Sequence, residues 1–259
     1  MLFIGTKIDL NKKLTTQSYW EDYYSDNHAN KQHIINVCSF YDDFWEIFID
    51  SKSSVGKTLI EIGGFPGRYL SYLASKFKVC PTCLDFNSDR QQIEKSFEVL
   101  EVNRYNIIQE DFTLYKPQKR YDYVFSNGFV EHFEEYNNIL DLHNSYLNKK
   151  GRLMLMIPNM KGYIKYYKKL VDNENLKIHN LKCMSLSVFE DFAQRNNLKV
   201  VELTYFGGFP FSVHQKLNLI QKIIFKIHRL VFKFFLNKYV HKYPSKYFSS
   251  TIIAIFEKP

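Results

Sequence analysis

Residues 59–70 read Leu-Ile-Glu-Ile-Gly-Gly-Phe-Pro-Gly-Arg-Tyr-Leu, an apolar run that carries an acid, then a glycine-rich turn and the first residues of a helix. Glycines let a backbone approach a ligand closely, and the free N–H groups at the start of a helix favour an anionic group. The stretch therefore predicts a strand–turn–helix unit with a ligand at the turn. A glycine turn can also simply connect a strand to a helix without binding a ligand, so the surrounding sequence has to distinguish these two interpretations.

The alternation of apolar and amphipathic segments extends over residues 58–157. Buried parallel strands, which are covered on both faces, are predicted at 58–62, 78–80, 105–108, 121–125 and 152–157. Helices are predicted between them at 68–77, 88–102 and 131–147. Repeated strand–helix–strand units indicate an open α/β sheet.

The flanking segments add helices and two further strands. Capping-box spacing in Ser187-Val-Phe-Glu190 predicts a helix that starts at this serine and runs toward Asn196. Strands are expected at 198–206 and 250–256. Residues 1–50 are expected to be mainly helical, with aromatic faces that cover one edge of the sheet.

The composition is that of a folded chain with a sizeable core. The 259 residues are 45% apolar and 24% charged, with only 10 glycines and 7 prolines, which excludes disorder, collagen-like repeats and long flexible linkers. Residues 1–14 lack the apolar core and cleavage site of a signal peptide, and no apolar run reaches the length of about 18 residues that spans a membrane. Four scattered cysteines are too few for a disulfide scaffold, so we expect a reducing, cytoplasmic setting.

Two familiar phosphate sites are excluded by their spacing. A dinucleotide fingerprint that starts at Gly63 needs glycines where Phe65 and Arg68 stand. Gly56-Lys57-Thr58 resembles the end of a phosphate-binding loop, but Ser51 occupies the place of its first glycine and the segment leads into a strand. The turn at 63–67 therefore belongs to another kind of site.

Acidic residues follow the second and third strands, at the edge of the sheet where open α/β proteins bind ligands. Asp85 lies 18 residues after Gly67 and can accept both hydroxyls of a ribose. Asp111 ends the third strand and can accept a hydrogen from an adenine amino group, with Phe112 against the ring. A lone acid in such a place is usually a helix cap or a turn former. Three acids in register with one glycine turn, Glu61 included, instead indicate a nucleoside site.

On these residues, the chain from about Tyr19 to Phe206 resembles the class I S-adenosylmethionine-dependent methyltransferases of the small-molecule type. Glu61, Gly63 and Gly67 match the first motif of that family, Glu-x-Gly-x-Gly-x-Gly. Residues 127–133, Asn-Gly-Phe-Val-Glu-His-Phe, resemble the segment after its fourth strand, and 151–159 resembles its fifth strand. The resemblance implies an α/β fold, a Rossmann-like sheet of seven mostly parallel strands with helices on both faces.

The resemblance also implies S-adenosyl-L-methionine as the cofactor. The implied cofactor-binding residues are Glu61, Gly63, Gly64, Phe65, Gly67, Asp85, Phe86, Asp111, Phe112, Asn127 and Gly128. Of these, Glu61, Gly63 and Gly67 would hold the methionine end, Asp85 the ribose, and Asp111 with Phe112 the adenine. Phe65 replaces the middle glycine of the family, and its bulk can narrow the methionine end. The alternative function is therefore a non-catalytic module of the same fold that binds a membrane or a protein partner.

His132 is the candidate catalytic residue. It follows the fourth strand, beside the expected position of the transferred methyl group, and an imidazole titrates near neutral pH, so it can act as the base for a hydroxyl acceptor. A histidine that only bonds the backbone at a helix start is the other interpretation. No metal site is predicted: Cys80-Pro-Thr-Cys83 has no second ligand pair and is assigned to the core, and His28 and His33 are assigned to the surface.

A basic segment precedes the last strand. Residues 203–256 contain no Asp or Glu, and a helix predicted over 215–239 places Lys222, Lys226, Arg229 and Lys233 on one stripe beside apolar residues. Such a helix can lie on an anionic membrane, or pack on the protein or on a second subunit with its lysines in solvent. It carries no nucleic-acid recognition motif, so we expect no nucleic-acid partner.

The chain is predicted to form one domain. Its parts are an N-terminal helical cap (1–50), a cofactor-binding core (51–206), a basic helical insert (207–248) and the last strand (249–259). The expected function is methyl transfer to a hydroxyl or another nucleophile of a small-molecule or lipid-linked acceptor, glycans included. The expected location is the cytoplasm, with peripheral contact at the inner face of the membrane and a homodimer both left open.

Overall fold

The computed structural model describes residues 12–24, 29–87 and 89–259. The strands are β1 (Thr58–Ile62), β2 (Cys80–Asp85), β3 (Asn106–Gln109), β4 (Tyr121–Asn127), β5 (Leu147–Pro158), β6 (Lys199–Phe206) and β7 (Thr251–Glu257). They form one sheet in the order β3-β2-β1-β4-β5-β7-β6. β7 is antiparallel to β5 and β6, and the other neighbours are parallel. The predicted fold class, a mostly parallel Rossmann-like sheet of seven strands, is confirmed.

Helices cover both faces of this sheet. They are α1 (Gln17–Tyr24), α2 (Lys31–Ser39), α3 (Asp42–Phe48), α4 (Arg68–Phe77), α5 (Arg90–Val99), α6 (Tyr136–Ser145), α7 (Gly162–Val171), α8 (Asn173–Lys177), α9 (Leu186–Arg195), α10 (Leu219–Val231) and α11 (Asn237–Lys242). Neighbouring residues of β1 belong to different buried clusters: Leu59 packs with α2 to α5, and Ile60 packs with α6 and α9. The apolar run of β1 is thus buried on both sides, as its sequence predicts.

The second strand differs from its prediction at 78–80. β2 begins at Cys80 because its pairing with β1 starts there and continues from Thr58 opposite Cys80 to Ile62 opposite Leu84. Pro81 is tolerated because it precedes the first residue pair between β2 and β3. The four cysteines are free thiols. Cys83 is buried as expected, but Cys80 is exposed, so the assignment of both to the core was wrong for Cys80.

Two helix predictions also need correction. Residues 131–147 do not form one helix: a 3-10 helix (Val130–His132) is followed by α6, and Leu147 begins β5. The break lies at Phe133, which forms an isolated antiparallel bridge with Lys13. The capping box at Ser187 is wrong as well, because α9 begins one residue earlier with Ser185 as its N-cap.

The helix predicted over 88–102 is α5, capped by the side chain of Asp89, which accepts the N–H of Gln92. Residue 88 lies outside the described residues, as do residues 1–11 and 25–28, which include His28 and most of the segment assessed for a signal peptide. His33 is exposed, as expected.

The N-terminal helices cover a face of the sheet, whereas the sequence suggested an edge. The Trp45 ring of α3 lies 5.1 Å from the Phe125 ring of β4, and the Phe48 ring lies 5.5 Å from that of Tyr123. β4 is the central strand, so these aromatic side chains are buried in the middle of the molecule. This position explains why Trp45 and Phe48 are fully buried.

The basic insert folds mainly as α10, a short π-helix (Phe232–Leu236) and α11. α10 starts with a capping box formed by Asn218 and Gln221. Phe232 and Val240 are buried against α7 together with Phe209. None of the described helices combines the length and the apolarity needed to cross a membrane.

Candidate functional site

A cavity opens at the carboxyl ends of β1, β2 and β4. Its empty volume is about 880 Å³ when its open mouth is included. Eleven of the twelve residues predicted for the site line it: Glu61, Gly63, Gly64, Phe65, Asp85, Phe86, Asp111, Phe112, Asn127, Gly128 and His132. Residues that are far apart in the sequence therefore converge on one space.

The glycine turn forms one wall of the cavity. Gly63 has φ +67°, and a Cβ at this position would stand 2.4 Å from Cδ2 of Phe129, so a side chain is excluded both by conformation and by contact. Gly67, the twelfth predicted residue, precedes α4 with φ +86°, and its Cβ would meet Ile93 instead of the cavity. Gly67 thus allows the conformation of the turn but does not itself line the cavity.

Glu61 is held by the protein itself. Its Oε2 accepts the N–H of Leu70, in the first turn of α4, at 3.0 Å, and the side chain is buried. Burial raises the pKa of this carboxyl well above its usual range. Glu61 therefore fixes the start of α4 beneath the cavity.

Phe65, which replaces the middle glycine of the first motif, lies in the cavity wall. Its ring is 8% exposed and packs edge-on against Tyr24, with 5.1 Å between the ring centroids. Its backbone N–H donates to Oδ2 of Asp85 at 3.0 Å, which ties the turn to the end of β2. Phe65 thus connects the cavity wall to α1 and to the end of β2.

Asp85 ends β2 with both carboxylate oxygens facing backbone donors. Oδ2 accepts the N–H of Phe65, and Oδ1 accepts that of Asn87 at 2.8 Å. Burial raises the pKa of Asp85, and these two hydrogen bonds act in the opposite direction. Because a carboxylate has about four lone-pair sites, each oxygen can still accept a bond from a ligand hydroxyl.

Asp111 is paired with Lys13, a residue that the sequence did not indicate. Thr113 also binds Asp111, through its N–H at 2.9 Å and its hydroxyl at 2.8 Å. Burial alone would raise the pKa of Asp111, but the hydrogen bonds from Lys13 and Thr113 outweigh it and lower the pKa. The Lys13 ammonium also lies 5.0 Å from the centroid of the Phe86 ring, so it closes the cavity on this side.

The end of β4 supplies the opposite wall. Gly128 has φ +65° and donates its N–H to the carbonyl of Met156 at 2.9 Å. Phe112 is 3% exposed and packs edge-on against Phe129 at 5.5 Å between centroids. Asn127 and Gly128 also line a second cavity, which begins where the first one ends.

His132 bonds the backbone and also lines the cavity. Its Nδ1 lies 2.8 Å from the carbonyl oxygen of Ile178 and so carries the proton, which leaves Nε2 with a free lone pair. Its ring also lines the cavity and packs edge-on against Trp20 at 4.9 Å between centroids. Burial lowers the pKa of His132 to about 3, helped by the nearby His179, so the imidazole is neutral at physiological pH.

Glu131 and His179 accompany His132. Glu131 is 1% exposed, and desolvation raises its pKa to about 8. His179 donates from Nδ1 to the carbonyl of Asn175, and burial lowers its pKa to about 4. The rings of His132 and His179 are 4.6 Å apart between centroids. Sequence reasoning missed both partners of His132.

The second cavity has an empty volume of about 1040 Å³ and opens to solvent. It shares Trp20, Tyr24, Arg68 and His132 with the first cavity. Its wall is rich in rings, which are supplied by Tyr19, Trp20, Tyr23, Tyr24, His132, His179 and His214. A ring-lined space next to the first cavity suits a second, partly apolar ligand.

Arg68 and the segment around Lys13 are the other site residues that sequence reasoning missed. Arg68 lines both cavities, and no carboxylate of the described residues lies within 4.0 Å of its guanidinium. Its signal was its position directly after Gly67, at the start of α4. Backbone hydrogen bonds position Lys13 at the cavity: the N–H of Leu14 donates to the carbonyl of His132, and the N–H of Glu134 donates to that of Lys12. No local sequence pattern predicts these bonds.

The insert presents an apolar row to solvent. The row consists of Ile220, Ile223, Ile227, Leu230 and Phe234, whose exposed fractions are 71%, 58%, 55%, 56% and 66%. The basic stripe predicted from the sequence is exposed beside it. The face of α10 toward the protein is instead formed by Ile224 and Phe225, which pack in a cluster with α7 and with Phe232 of the π-helix.

One curated relative aligns with part of this chain. The probable (S)-tetrahydroprotoberberine N-methyltransferase 2 of Papaver bracteatum is 35% identical over 81 residues, which make up 30% of this chain and 23% of that protein. The aligned part thus spans about a quarter of the relative's length.

Solved structures share the fold over most of the chain. Coclaurine N-methyltransferase bound to N-methylheliamine and SAH has a TM-score of 0.57 at 15% identity, over 90% of this chain and 75% of that chain. A SAM-dependent methyltransferase of Thiobacillus denitrificans in complex with S-adenosyl-L-homocysteine has a TM-score of 0.59 at 11% identity, over 93% of this chain and 98% of that chain. At such identities the likeness concerns the fold alone. The family model described as a methyltransferase domain matches residues 31–203, more than half of the sequence, and the chain therefore belongs to the methyltransferase-domain family.

Proposed function

We propose that the protein transfers a methyl group from S-adenosyl-L-methionine to a nucleophilic atom of a small molecule. One observation carries the proposal: the glycine turn at 63–67, Asp85 and Asp111 follow three different strands and border one cavity. Membership of the methyltransferase-domain family supports the same activity. So do the solved relatives that were crystallised with S-adenosylhomocysteine.

The residues of the first cavity fit the chemical groups of this cofactor. Arg68 offers a guanidinium without a carboxylate partner among the described residues, which suits the methionine carboxylate. Asp85 has acceptor capacity for the ribose hydroxyls, and Asp111 with Phe112 borders the space for the adenine. When bound, the cofactor supplies a methyl group that its sulfonium makes electrophilic. The protein has to orient the acceptor and exclude water, which can lower a barrier by about 7–11 kcal/mol in well-oriented cases.

The second cavity is the proposed acceptor site. His132 borders both cavities, and its free Nε2 can accept the proton of an acceptor hydroxyl as the oxygen bonds to the methyl carbon and the bond from that carbon to the cofactor sulfur breaks. An amine acceptor would have to enter the site in its neutral form. Trp20 and Tyr24 of α1 line both cavities beside this position. The N-methyltransferases among the relatives favour an amine, and a hydroxyl remains open as the acceptor group.

A mass-spectrometric screen tests this function. The protein is incubated with methyl-deuterated cofactor and candidate amines and alcohols, and a labelled methyl group should appear on one class. His132→Gln should still bind S-adenosylhomocysteine but turn over about 100-fold more slowly, because it lacks the base. His33→Gln, on the exposed face of α2, is the matched control. Failure of the unchanged protein to bind S-adenosylhomocysteine would refute the proposal.

We also propose that the insert holds the protein on an anionic membrane surface, which would favour a lipid-linked acceptor such as a lipid-linked glycan. The exposed apolar row can enter the interface while the basic stripe pairs with lipid phosphates. Residues 203–256 carry eight Lys and Arg and no acid, so charge complementarity selects an anionic surface. The location would then be the cytoplasmic face of a membrane.

Vesicle co-sedimentation tests this contact. Binding should require phosphatidylserine and should fall at least about tenfold when Ile223 and Ile227 become Gln. Each of these exposed side chains would contribute about 1.5–3 kcal/mol when the membrane buries it. Lys149→Gln, at an exposed position outside the insert, is the control. A homodimer that covers the apolar row, detected by light scattering, would overturn the membrane contact. Vesicle binding without cofactor binding would instead support the non-catalytic alternative.

A further inference from the structure

Three side chains with metal-ligand atoms meet where the two cavities join. One ligand atom from each of Glu131, His132 and His179 lies within 4.8 Å of the other two. His132 Nε2 is 3.7 Å from Glu131 Oε1. Around a tetrahedral ion with bonds of about 2.0–2.2 Å, ligand atoms are about 3.3–3.6 Å apart. Side-chain rotations that move the ligand atoms by about 1–1.5 Å would therefore complete the arrangement.

Backbone carbonyls already fix both imidazoles in the tautomer that a metal requires. Nδ1 of His132 faces the carbonyl of Ile178 at 2.8 Å, and Nδ1 of His179 faces that of Asn175 at 2.5 Å. Each Nδ1 therefore carries its proton, and each Nε2 has a free lone pair. A hydrogen bond from the second ring nitrogen to a carbonyl is also the usual support of metal-binding histidines.

Glu131 provides the second, independent observation. Its side chain is 1% exposed, and neither carboxylate oxygen has a hydrogen-bond partner among the described residues. A buried carboxyl without partners is costly, and the two atoms nearest to it in the cluster are lone-pair acceptors as well. With Glu131 ionised, three acceptors face one another, and a cation would satisfy all three.

The backbone holds this cluster in place. The N–H of Asn180 donates to the carbonyl of Glu131 at 2.7 Å, and the Asn180 amide donates to the carbonyl of Phe133 at 2.9 Å. These bonds tie the loop that carries His179 to the 3-10 helix that carries Glu131 and His132. Such fixed support is what a metal site needs to keep its geometry.

We infer that Glu131, His132 and His179 bind one divalent transition-metal ion. Two imidazoles and one carboxylate suit zinc or iron and leave coordination positions open. All three residues line the second cavity, so the open positions face the proposed acceptor. With such a metal bound, His132 Nε2 would be a ligand and no longer the base; the metal would instead coordinate an acceptor oxygen and lower the pKa of its hydroxyl, whose proton would leave to solvent. This last step rests on the proposed function, whereas metal binding itself does not.

Cobalt(II) is the probe for this site, because its visible absorption reports coordination by nitrogen. Tag-free protein, stripped with a chelator, is titrated with cobalt(II) and then with zinc(II) as a competitor. One equivalent should bind, and both Glu131→Gln and His179→Ala should bind at least about 100-fold more weakly. His33→Ala, which removes an exposed imidazole, should bind like the unchanged protein.

S-adenosylhomocysteine binding is measured on the same samples to show that each variant is folded. If Glu131→Gln and His179→Ala lose cobalt(II) binding but keep S-adenosylhomocysteine binding, the result supports the metal site. Absence of cobalt absorption in the unchanged protein, or equal binding by His179→Ala, overturns it. Metal binding without any S-adenosylhomocysteine binding would leave the metal site standing and refute the proposed function.

Discussion

The substitution Asp85→Asn isolates the proposed ribose contact. The carboxylate accepts backbone N–H groups from Phe65 at 3.0 Å and from Asn87 at 2.8 Å. An asparagine of the same shape keeps one acceptor oxygen but turns a donor toward the second backbone N–H. It also removes the charge that would strengthen the bonds to a ligand's hydroxyls.

The expected magnitude follows from the number of bonds changed. A hydrogen bond to a charged group contributes about 1.5–3 kcal/mol, and we expect the net loss of one such contact to the ribose. A loss of about 2 kcal/mol corresponds to about 30-fold weaker binding of S-adenosylhomocysteine. Calorimetry on the unchanged protein and on the variant measures this ratio.

The effect on stability should be much smaller. Burial raises the pKa of Asp85, so the folded protein takes up a proton at this group more readily than the unfolded chain. The ionised group therefore lowers the free energy of unfolding above that pKa, and the amide removes this penalty. The lost backbone contact acts in the opposite direction, so we expect a net change within about 1 kcal/mol.

Asp89→Asn is the matched control, because Asp89 caps α5 outside the cavity and asparagine caps a helix equally well. It should leave the affinity for S-adenosylhomocysteine unchanged. Binding by Asp85→Asn within about threefold of the unchanged protein would refute the assignment of Asp85 to the ribose.

Three further substitutions test other parts of the account. Arg68→Gln should weaken S-adenosylhomocysteine binding about 30-fold in calorimetry but spare 5′-methylthioadenosine, which lacks the carboxylate; equal losses for both would contradict the role. Gly63→Ala should lower the free energy of unfolding in urea by about 1–3 kcal/mol more than Gly56→Ala, because both have positive φ but only the Cβ at 63 meets Phe129; equal losses would speak against that contact. Burial lowers the pKa of His143 to about 4, so between about pH 6.5 and 4 the unfolded chain binds a proton that the folded protein does not. As the pH falls through this range, the free energy of unfolding in urea should drop by roughly 1 kcal/mol per pH unit for the unchanged protein relative to His143→Leu. Parallel pH profiles of the two proteins would exclude this.

Local signals predicted the first strand–turn–helix unit to the residue. β1 and α4 have the predicted bounds, because an apolar run, glycines and helical spacing are all read within one short window. Pairing with β1 decided the position of β2, and no window around Pro81 contains that partner. The helix predicted at 131–147 breaks for a similar reason, since Phe133 is drawn into a bridge with Lys13, more than a hundred residues away.

The same distinction between local signals and tertiary contacts applies to the residues of the site. Residues at strand ends, such as Asp85 and Asp111, could be predicted because parallel strands bring their carboxyl ends to one edge. Lys13, Trp20 and His179 could not, because tertiary contacts alone carry them to the cavities. His179 lies 47 residues after His132, with no spacing that indicates a shared cluster.

Hydrogen–deuterium exchange with and without S-adenosylhomocysteine tests whether separate strand ends build one nucleoside site. We expect the ligand to slow exchange together at 63–70, 85–87, 110–113 and 127–132, and to leave the exchange of α10 unchanged. Protection of only one of these segments, or of none, would contradict the shared site.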